Sequence, residues 1–361
     1  MTLKITIING AKFGEGTYHS IFDIFNVLNE SQTEVEWVQF NDSCEKDHQN
    51  FYKYEIKGFC LGRNIFSIGI NRVIRRYIKP HKLNTDILLV GDPTLLGNVK
   101  GKINSVVLMI HDFRPLTQYR DSFSSKLFLL FSMKKIASVD RIIVSTKYML
   151  DECKKYGLTE SKISIVPQTF PFEVSFNRIL ESNAKVFRIL YIAQDRAYKR
   201  IDFFINIANQ FNNSINNLTY EFTLITKTPR GNKFSQKGLL PDNVILKGSF
   251  EDIKIELNKH DLLLFPSEFE GFGRPVLEAM STGMPVIARD IPPIREITYG
   301  SARLLRNDSV EEWKAAILEI STSKEIYEDM SRKVIEAAKN FEYSNFRKSV
   351  LNTFHLKTLT P

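Results

Sequence analysis

Two consecutive α/β domains, each built on a parallel sheet, are the architecture this sequence predicts. The chain has 361 residues, and at about 150 residues per domain that length favours two cores over one. Short β-branched or aromatic runs alternate with longer helical patterns, the mark of βαβ units. The alternation lapses at residues 173–184, which are polar and irregular and follow Pro167 and Pro171, and then it begins again.

In the first half, strands are expected at 4–8, 87–90, 105–110, 141–144 and 163–166. Between them, apolar residues at Phe66, Ile70, Val73, Ile74, Tyr77 and Ile78 recur close to a 3.6 period and predict a helix over 66–78. In the second half, strands are expected at 187–192, 221–225, 243–246, 262–265 and 285–288, with helices at 201–211 and through 310–353. The boundaries that follow are a first domain over 1–173, a linker over 174–184, a second domain over 185–345, and a final helix over 346–361 that crosses back to the first domain.

Composition excludes several classes. The chain is 43% hydrophobic and 25% charged, so a disordered or collagen-like protein is out. No apolar run approaches the ~20 residues needed to span a bilayer. The start, Leu3-Lys4-Ile5-Thr6-Ile7-Ile8, enters a strand at once and lacks the features of a signal peptide. Cys44, Cys60 and Cys153 stand far apart without ligand spacing and read as reduced thiols of a cytoplasmic protein. The six histidines are dispersed, so no structural zinc site is expected. A net charge of +8 favours anionic partners, whether phosphates, acidic membranes or nucleic acid, and does not choose among them.

The most informative stretch runs Phe265-Pro266-Ser267-Glu268-Phe269-Glu270-Gly271-Phe272-Gly273-Arg274-Pro275-Val276-Leu277-Glu278-Ala279-Met280. A buried strand ends in a loop, Pro275 suits the first turn of the next helix, and Gly283 with Pro285 closes it. A helix N-terminus therefore lies at the carboxyl end of a strand, where open α/β sheets bind ligands. Within one continuous helix Glu270 and Glu278 would stand ~12 Å apart along the axis. Gly271 and Gly273 break that helix, so both carboxylates can face one ligand, and the glycines let backbone N–H groups approach a phosphate. Taken alone, the spacing reads more readily as a glycine-rich turn with one capping and one solvent glutamate.

This stretch, with Gly283-Met284-Pro285-Val286-Ile287-Ala288 and Ile291-Pro292-Pro293-Ile294-Arg295-Glu296-Ile297 after it, resembles the core of retaining glycosyltransferase family 4. The family's fold, GT-B, pairs two Rossmann-like domains facing each other across a deep cleft, and the resemblance covers nearly the whole chain. It implies that Glu270 lies beside the donor sugar, that Glu278 holds the ribose hydroxyls, and that the backbone of Gly271, Phe272 and Gly273 contacts the donor sugar and its phosphate.

A second element, Gln194-Asp195-Arg196-Ala197-Tyr198-Lys199-Arg200, follows the first strand of the second domain. A nucleoside diphosphate gains negative charge as it leaves, so cations beside it lower the barrier more than they stabilise the ground state. The family carries an arginine and a lysine on this loop, and Lys199 matches the lysine. The arginine position is Gln194 here, so either Arg196 substitutes from a shorter loop or the second cation is missing. In the first domain, Gly14 and Gly16 resemble the family's glycine loop at the donor diphosphate. His111, in His111-Asp112-Phe113-Arg114-Pro115, resembles the histidine that reaches the donor sugar or acceptor, and Asp112 is an acceptor contact on the same reading.

The resemblance thus implies a retaining hexosyltransferase-type enzyme, with a nucleoside diphosphate sugar as co-substrate and neither cofactor nor metal. Asp-x-Asp, the mark of metal-dependent GT-A transferases, does not occur. The acceptor is expected to be a glycan, a glycolipid or another hydroxyl compound in cell-surface polysaccharide or glycoconjugate synthesis. Arg72, Arg75, Arg76, Lys79 and Lys82, with the mixed basic and apolar run 126–135, resemble the basic amphipathic surface that relatives with lipid acceptors hold against an anionic membrane on its cytoplasmic side, although by themselves they read more readily as an ordinary core helix with solvated charges. Three rival readings remain: a catalytically silent GT-B scaffold subunit, a glycosyltransferase acting on nucleic acid, for which no aromatic-basic recognition motif speaks, and a GT-B epimerase.

Overall fold

The computed structural model describes residues 2–11, 16–39, 51–53, 82–96, 100–118, 123–174, 178–181, 184–212, 214–226, 240–248 and 252–356. The expected helix over 66–78, with Arg72, Arg75, Arg76 and Lys79, lies outside the described residues, as do Gly14, Cys44 and Cys60. The chain forms two units: Met1–Thr169 with Ser344–Pro361, and Phe170–Tyr343.

Unit 1 contains β1 (Leu3–Asn9), α1 (Gly16–Asn29), β2 (Thr33–Gln39), β3 (Phe51–Lys53), β4 (Lys82–Val90), β5 (Lys100–Met109), α2 (Phe123–Ala137), β6 (Arg141–Val144), α3 (Lys147–Lys155) and β7 (Ile163–Ile165). The strands form one sheet in the order β3-β2-β1-β4-β5-β6-β7, and every pairing is parallel. Alternation along these strands feeds two cores. Ile5, Ile7, Leu89, Val107, Met109 and Ile143 pack with α1, while Ile8, Leu88, Val90, Leu108, Ile142 and Val144 pack with residues of α2 and α3. A parallel sheet covered on both faces needs apolar side chains in both directions, which explains the nearly unbroken apolar runs.

Unit 2 contains β8 (Val186–Ile192), α4 (Ile201–Ala208), β9 (Thr219–Ile225), β10 (Val244–Lys247), α5 (Ile253–Asn258), β11 (Leu262–Phe265), α6 (Arg274–Ser281), β12 (Val286–Arg289), α7 (Pro292–Thr298), β13 (Arg303–Leu305), α8 (Val310–Thr322) and α9 (Lys324–Ala338). Its sheet runs β10-β9-β8-β11-β12-β13, again with parallel pairings. The helical region expected at 310–353 is three helices, because Ser309 caps α8 and Ser323 caps α9 by accepting the Glu312 and Ile326 N–H groups. The third, α10 (Tyr343–Thr353), delivers Phe346, Val350 and Leu351 into the unit 1 core beside α1.

Residues 174–184, expected as a linker, are counted with unit 2, and the chain divides after Thr169. The reason is Arg178. Its Nε donates to the Thr282 carbonyl at 2.8 Å, and its Nη2 to the Leu257 carbonyl at 3.1 Å and Thr282 Oγ1 at 2.9 Å. Nη1 donates to the His260 carbonyl, and the Arg178 N–H to Ser331 Oγ at 2.6 Å. One guanidinium thus satisfies the ends of α5 and α6, which lack intrahelical partners for their last carbonyls. Arg178→Leu should cost about 1–3 kcal/mol through unpaired buried carbonyls, and Leu351→Ala about 2–5 kcal/mol through a cavity. Hydrogen exchange should localise the first to β8–β13 and the second to β1–β7; the same amides responding to both variants would contradict the division.

Candidate active site

In each sheet the first strand of the unit lies between two later ones: β1 between β2 and β4, and β8 between β9 and β11. The connections leave in opposite directions there, and a crevice opens at the carboxyl ends of the strands. In unit 2 the two loops flanking that point are those after β8 and β11, and they carry the sequence-predicted Lys199 and Glu270.

The structure brings these two together. Lys199 Nζ donates to Glu270 Oε1 at 2.5 Å, with the side chains only 13% and 12% exposed. Lys199 Nζ also lies 5.5 Å from the Tyr198 ring centroid and 5.8 Å from that of Phe265, rings whose negative faces suit a cation. The loops are tied through their backbones as well. The Glu268 N–H donates to the Tyr198 carbonyl at 2.8 Å. Tyr191 Oη donates to the Lys199 carbonyl and pairs with Ser267 Oγ at 3.0 Å. Burial of the Tyr191 phenol pushes its pKa well above the ordinary value, so it remains a donor.

Gly273 begins α6 at φ 107°, in a region that disfavours residues with a Cβ. An added Cβ would also stand 2.4 Å from Ile294 Cδ1. Pro275 then occupies the first turn. One turn on, Glu278 accepts from Arg274 Nε at 2.8 Å, both side chains being about nine-tenths buried. Phe272 is buried, its ring 5.9 Å from that of Phe341, so its side chain packs the loop and does not serve as ligand surface. Gly271 is partly exposed between them. Arg196 is partly exposed, and its N–H donates to the Gln194 carbonyl at 2.8 Å.

Unit 1 places its residues at the corresponding edge. Gly16 is the exposed first residue of α1, with nothing within 4 Å of an added Cβ. His111 follows β5. Its ring bonds the Gly91 backbone at the end of β4, and its Nε2 is buried without a partner among the described residues. Nδ1 is therefore the bonded nitrogen, donating to the Gly91 carbonyl, which leaves Nε2 as an acceptor. Burial pushes the imidazole pKa down to about 4, against weaker upward effects of Asp92 and the Gly91 bond. Asp112 is locally engaged: its Oδ1 accepts the Arg114 N–H at 2.9 Å.

The sequence reading passed over Arg200, Glu268, Arg274, Arg289 and Asp308. Glu268 pairs with Arg200, and Asp308 with both Arg200 and Arg289. Only the i,i+4 spacing of Arg274 and Glu278 carried a local signal.

The His111 environment fixes a pH dependence. Between about pH 6.5 and pH 4 the unfolded chain binds a proton at this position that the folded chain does not, so stability present at neutral pH falls as the pH drops through that window. Denaturant titrations at pH 7 and pH 4.5 should show a larger loss for the wild type than for His111→Gln. An NMR titration placing the His111 pKa at 6 or above would contradict it.

Residues 186–323 match the family model described as glycosyl transferases group 1. The O-antigen chain mannosyltransferase RfbU of Salmonella typhimurium is 27% identical over 225 residues, 60% of this chain and 61% of that protein. The N-acetylglucosaminyltransferase GtfA subunit of Streptococcus agalactiae is 24% identical over 62% of this chain and 45% of its own length. The matches thus span less than two thirds of these relatives. Among solved structures, Anabaena HepE in complex with UDP and glucose has a TM-score of 0.75 at 14% identity, over 98% of this chain and 99% of that one. The sucrose-phosphate synthase of Thermosynechococcus elongatus has a TM-score of 0.78 at 13% identity, over 98% of each chain. The chain has the GT-B fold, and its residues 186–323 are similar to the group 1 glycosyltransferases.

Proposed function

We propose that the protein transfers a sugar from a nucleoside diphosphate sugar to a hydroxyl acceptor, and that the reacting donor lies against the Lys199–Glu270 pair. The observation that carries this reading is the pair itself: a cation and a carboxylate, both about seven-eighths buried, at the switch point of a parallel sheet. Glycosidic cleavage moves charge onto the diphosphate, and a fixed ammonium there stabilises the transition state more than the bound donor. Arg196, on the same loop, is the second candidate cation. Glu270, released by Lys199, accepts from sugar hydroxyls, and Glu278 accepts from the ribose. The neutral His111 supplies an acceptor nitrogen for a sugar or acceptor hydroxyl, with Asp112 beside it. Gly16, the exposed start of α1, is the unit 1 candidate for backbone contact with a phosphate. On this reading the chemistry retains anomeric configuration and the residues act by position and charge.

The relatives' names support polysaccharide or glycoconjugate synthesis as the setting: O-antigen chain mannosyltransferases from two enterobacteria and a poly(glycerol-phosphate) glucosyltransferase of Bacillus subtilis. The base and sugar of the donor follow from a thermal-shift panel of UDP-, GDP- and ADP-sugars, since a ligand raises the melting temperature according to its concentration over Kd. One donor class should stabilise unit 2, and Glu270→Gln and Lys199→Met should each lower transfer or donor hydrolysis about 100–1,000-fold. Full activity in both variants would end this reading, whereas neither transfer nor donor hydrolysis by the wild type would favour a silent scaffold subunit.

A lipid-linked acceptor at an anionic membrane is supported by α2. Its inner face buries Leu129, Ser132 and Ile136, yet Phe131 is 80% exposed, Phe123 58% and Leu130 47%, with Lys134 and Lys135 exposed beside them. Among the described residues, no helix is long and apolar enough to cross a membrane. Apolar side chains flanked by lysines suit the headgroup boundary of acidic lipids. Co-sedimentation with phosphatidylglycerol vesicles should fall sharply for Leu130→Glu with Phe131→Glu and should weaken with salt. Undiminished binding by the double variant would remove α2 from the interface.

A further inference from the structure

Arg200 follows the proposed catalytic lysine and adopts a left-handed conformation, φ 52° and ψ 45°. For a residue with a Cβ this conformation is sterically disfavoured, and it persists only where surrounding structure holds it. Its backbone needs the turn. The Arg200 N–H closes the 3₁₀ turn Ala197–Lys199 on the Ala197 carbonyl at 3.0 Å, and its own carbonyl accepts the Phe204 N–H at 3.1 Å to start α4. A glycine would serve that turn without strain. The arginine side chain therefore has a separate use.

That use is visible in what the guanidinium joins. Its Nη1 donates to Glu268, on the loop after β11, and to Asp308 at 2.7 Å, on the loop after β13. Asp308 is also bound by Arg289 at the end of β12, whose Nε donates to the Pro266 carbonyl at 3.1 Å. Both guanidinium carbons lie over the Phe203 ring of α4, at 5.3 and 5.9 Å from its centroid. Burial would push the Asp308 carboxyl up, but the bonds from Arg200 and Arg289 outweigh it and hold the group below the usual carboxylate range. Two arginines and two carboxylates thus connect the loops at the carboxyl ends of β8, β11, β12 and β13. Glu268 is two residues from Glu270, and Arg200 is adjacent to Lys199.

We propose that Arg200 is a positioning residue for the Lys199–Glu270 pair: its guanidinium, already committed to Glu268 and Asp308, locks the β8 and β11 loops together and so sets where the cation meets the departing diphosphate. This rests on the sugar-transfer reading above. The structural claim it contains, that Arg200 couples Lys199 to Glu270, does not.

The decisive variant is Arg200→Gly, which suits the left-handed backbone and removes only the side chain. With the donor identified by thermal shift, kcat should fall about 10–100-fold, as expected for a misplaced catalytic group, while KM for the donor changes less than about threefold. Arg200→Lys, able to engage one carboxylate, should recover part of kcat. In a Lys199→Met background, Arg200→Gly should lower kcat less than about twofold further, since a residue acting through Lys199 has nothing left to position. Equal multiplicative losses in both backgrounds would overturn the proposal in favour of a general folding role. Independently of any donor, a thermal-unfolding cycle of Lys199→Met and Glu270→Gln should show coupling with Arg200 present and little with Arg200→Gly. Coupling that persists unchanged overturns the proposal even where sugar transfer is confirmed. Absence of donor binding by the wild type overturns the sugar-transfer reading and leaves this cycle to decide Arg200.

Discussion

The adjacency of β8 and β11, two strands that are hydrogen-bonded neighbours but not consecutive, is the constraint on which the unit 2 site depends. Because all strands run parallel, each one releases its following loop at the same end of the sheet. Because β9 continues on the other side of β8, the loops after β8 and β11 diverge and leave their inner edges free to meet. Lys199 and Glu270, seventy-one residues apart in sequence, are held at 2.5 Å by that topology. The same arrangement keeps them out of water, where a charge exerts more influence on a ligand than it would at the surface.

Unit 1 repeats the plan with different chemistry. Its reversal lies between β1 and β4, and the end of β4 presents the Gly91 carbonyl to His111. A Cβ added at Gly91 would stand 2.2 Å from Ile21 Cδ1 of α1 and 3.2 Å from the Ile8 carbonyl oxygen, so glycine lets helix and strand approach without displacing that side chain. The outcome is a neutral acceptor on an enclosed ring, whereas unit 2 offers paired charges. One fold therefore supplies both a polar, uncharged contact suited to hydroxyls and an ionic contact suited to phosphate. The difference lies in side chains added after the strands, not in the sheets.

The features legible in the sequence were those written locally. Buried central strands such as 187–192 and 262–265 appear as β8 and β11, and the start and stop of α6 follow from Gly273, Pro275 and Gly283. The β2 strand was passed over although Val35 and Trp37 alternate with Glu34 and Glu36, and β3 and β13, at three residues each, are too short for a periodic signal. The polar run 174–184 reads as a linker because Arg178, which anchors it together with Val174 and Leu180, finds its partners about 80–150 positions onward. The same limit hid most of what Arg200 joins: beyond Asp202, 3.6 Å from its Nε, its carboxylates stand 68 and 108 positions away. Pairing of Glu270 with Lys199 was likewise invisible, although both residues were singled out, since contact between loops is a property of strand order.

Both site glutamates hold a cation: Glu270 holds Lys199, and Glu278 holds Arg274. An incoming ligand must therefore match the charge it displaces. A neutral sugar offers Lys199 only hydroxyl oxygens in exchange for a carboxylate, and leaving Glu270 unpaired in a site this enclosed is costly. A sugar diphosphate offers the lysine a stronger anion and the carboxylate a set of hydroxyl donors in the same event, so both halves of the ion pair are satisfied again. On the proposed reading the pair is selective as well as catalytic, because it makes binding of the sugar conditional on the diphosphate attached to it.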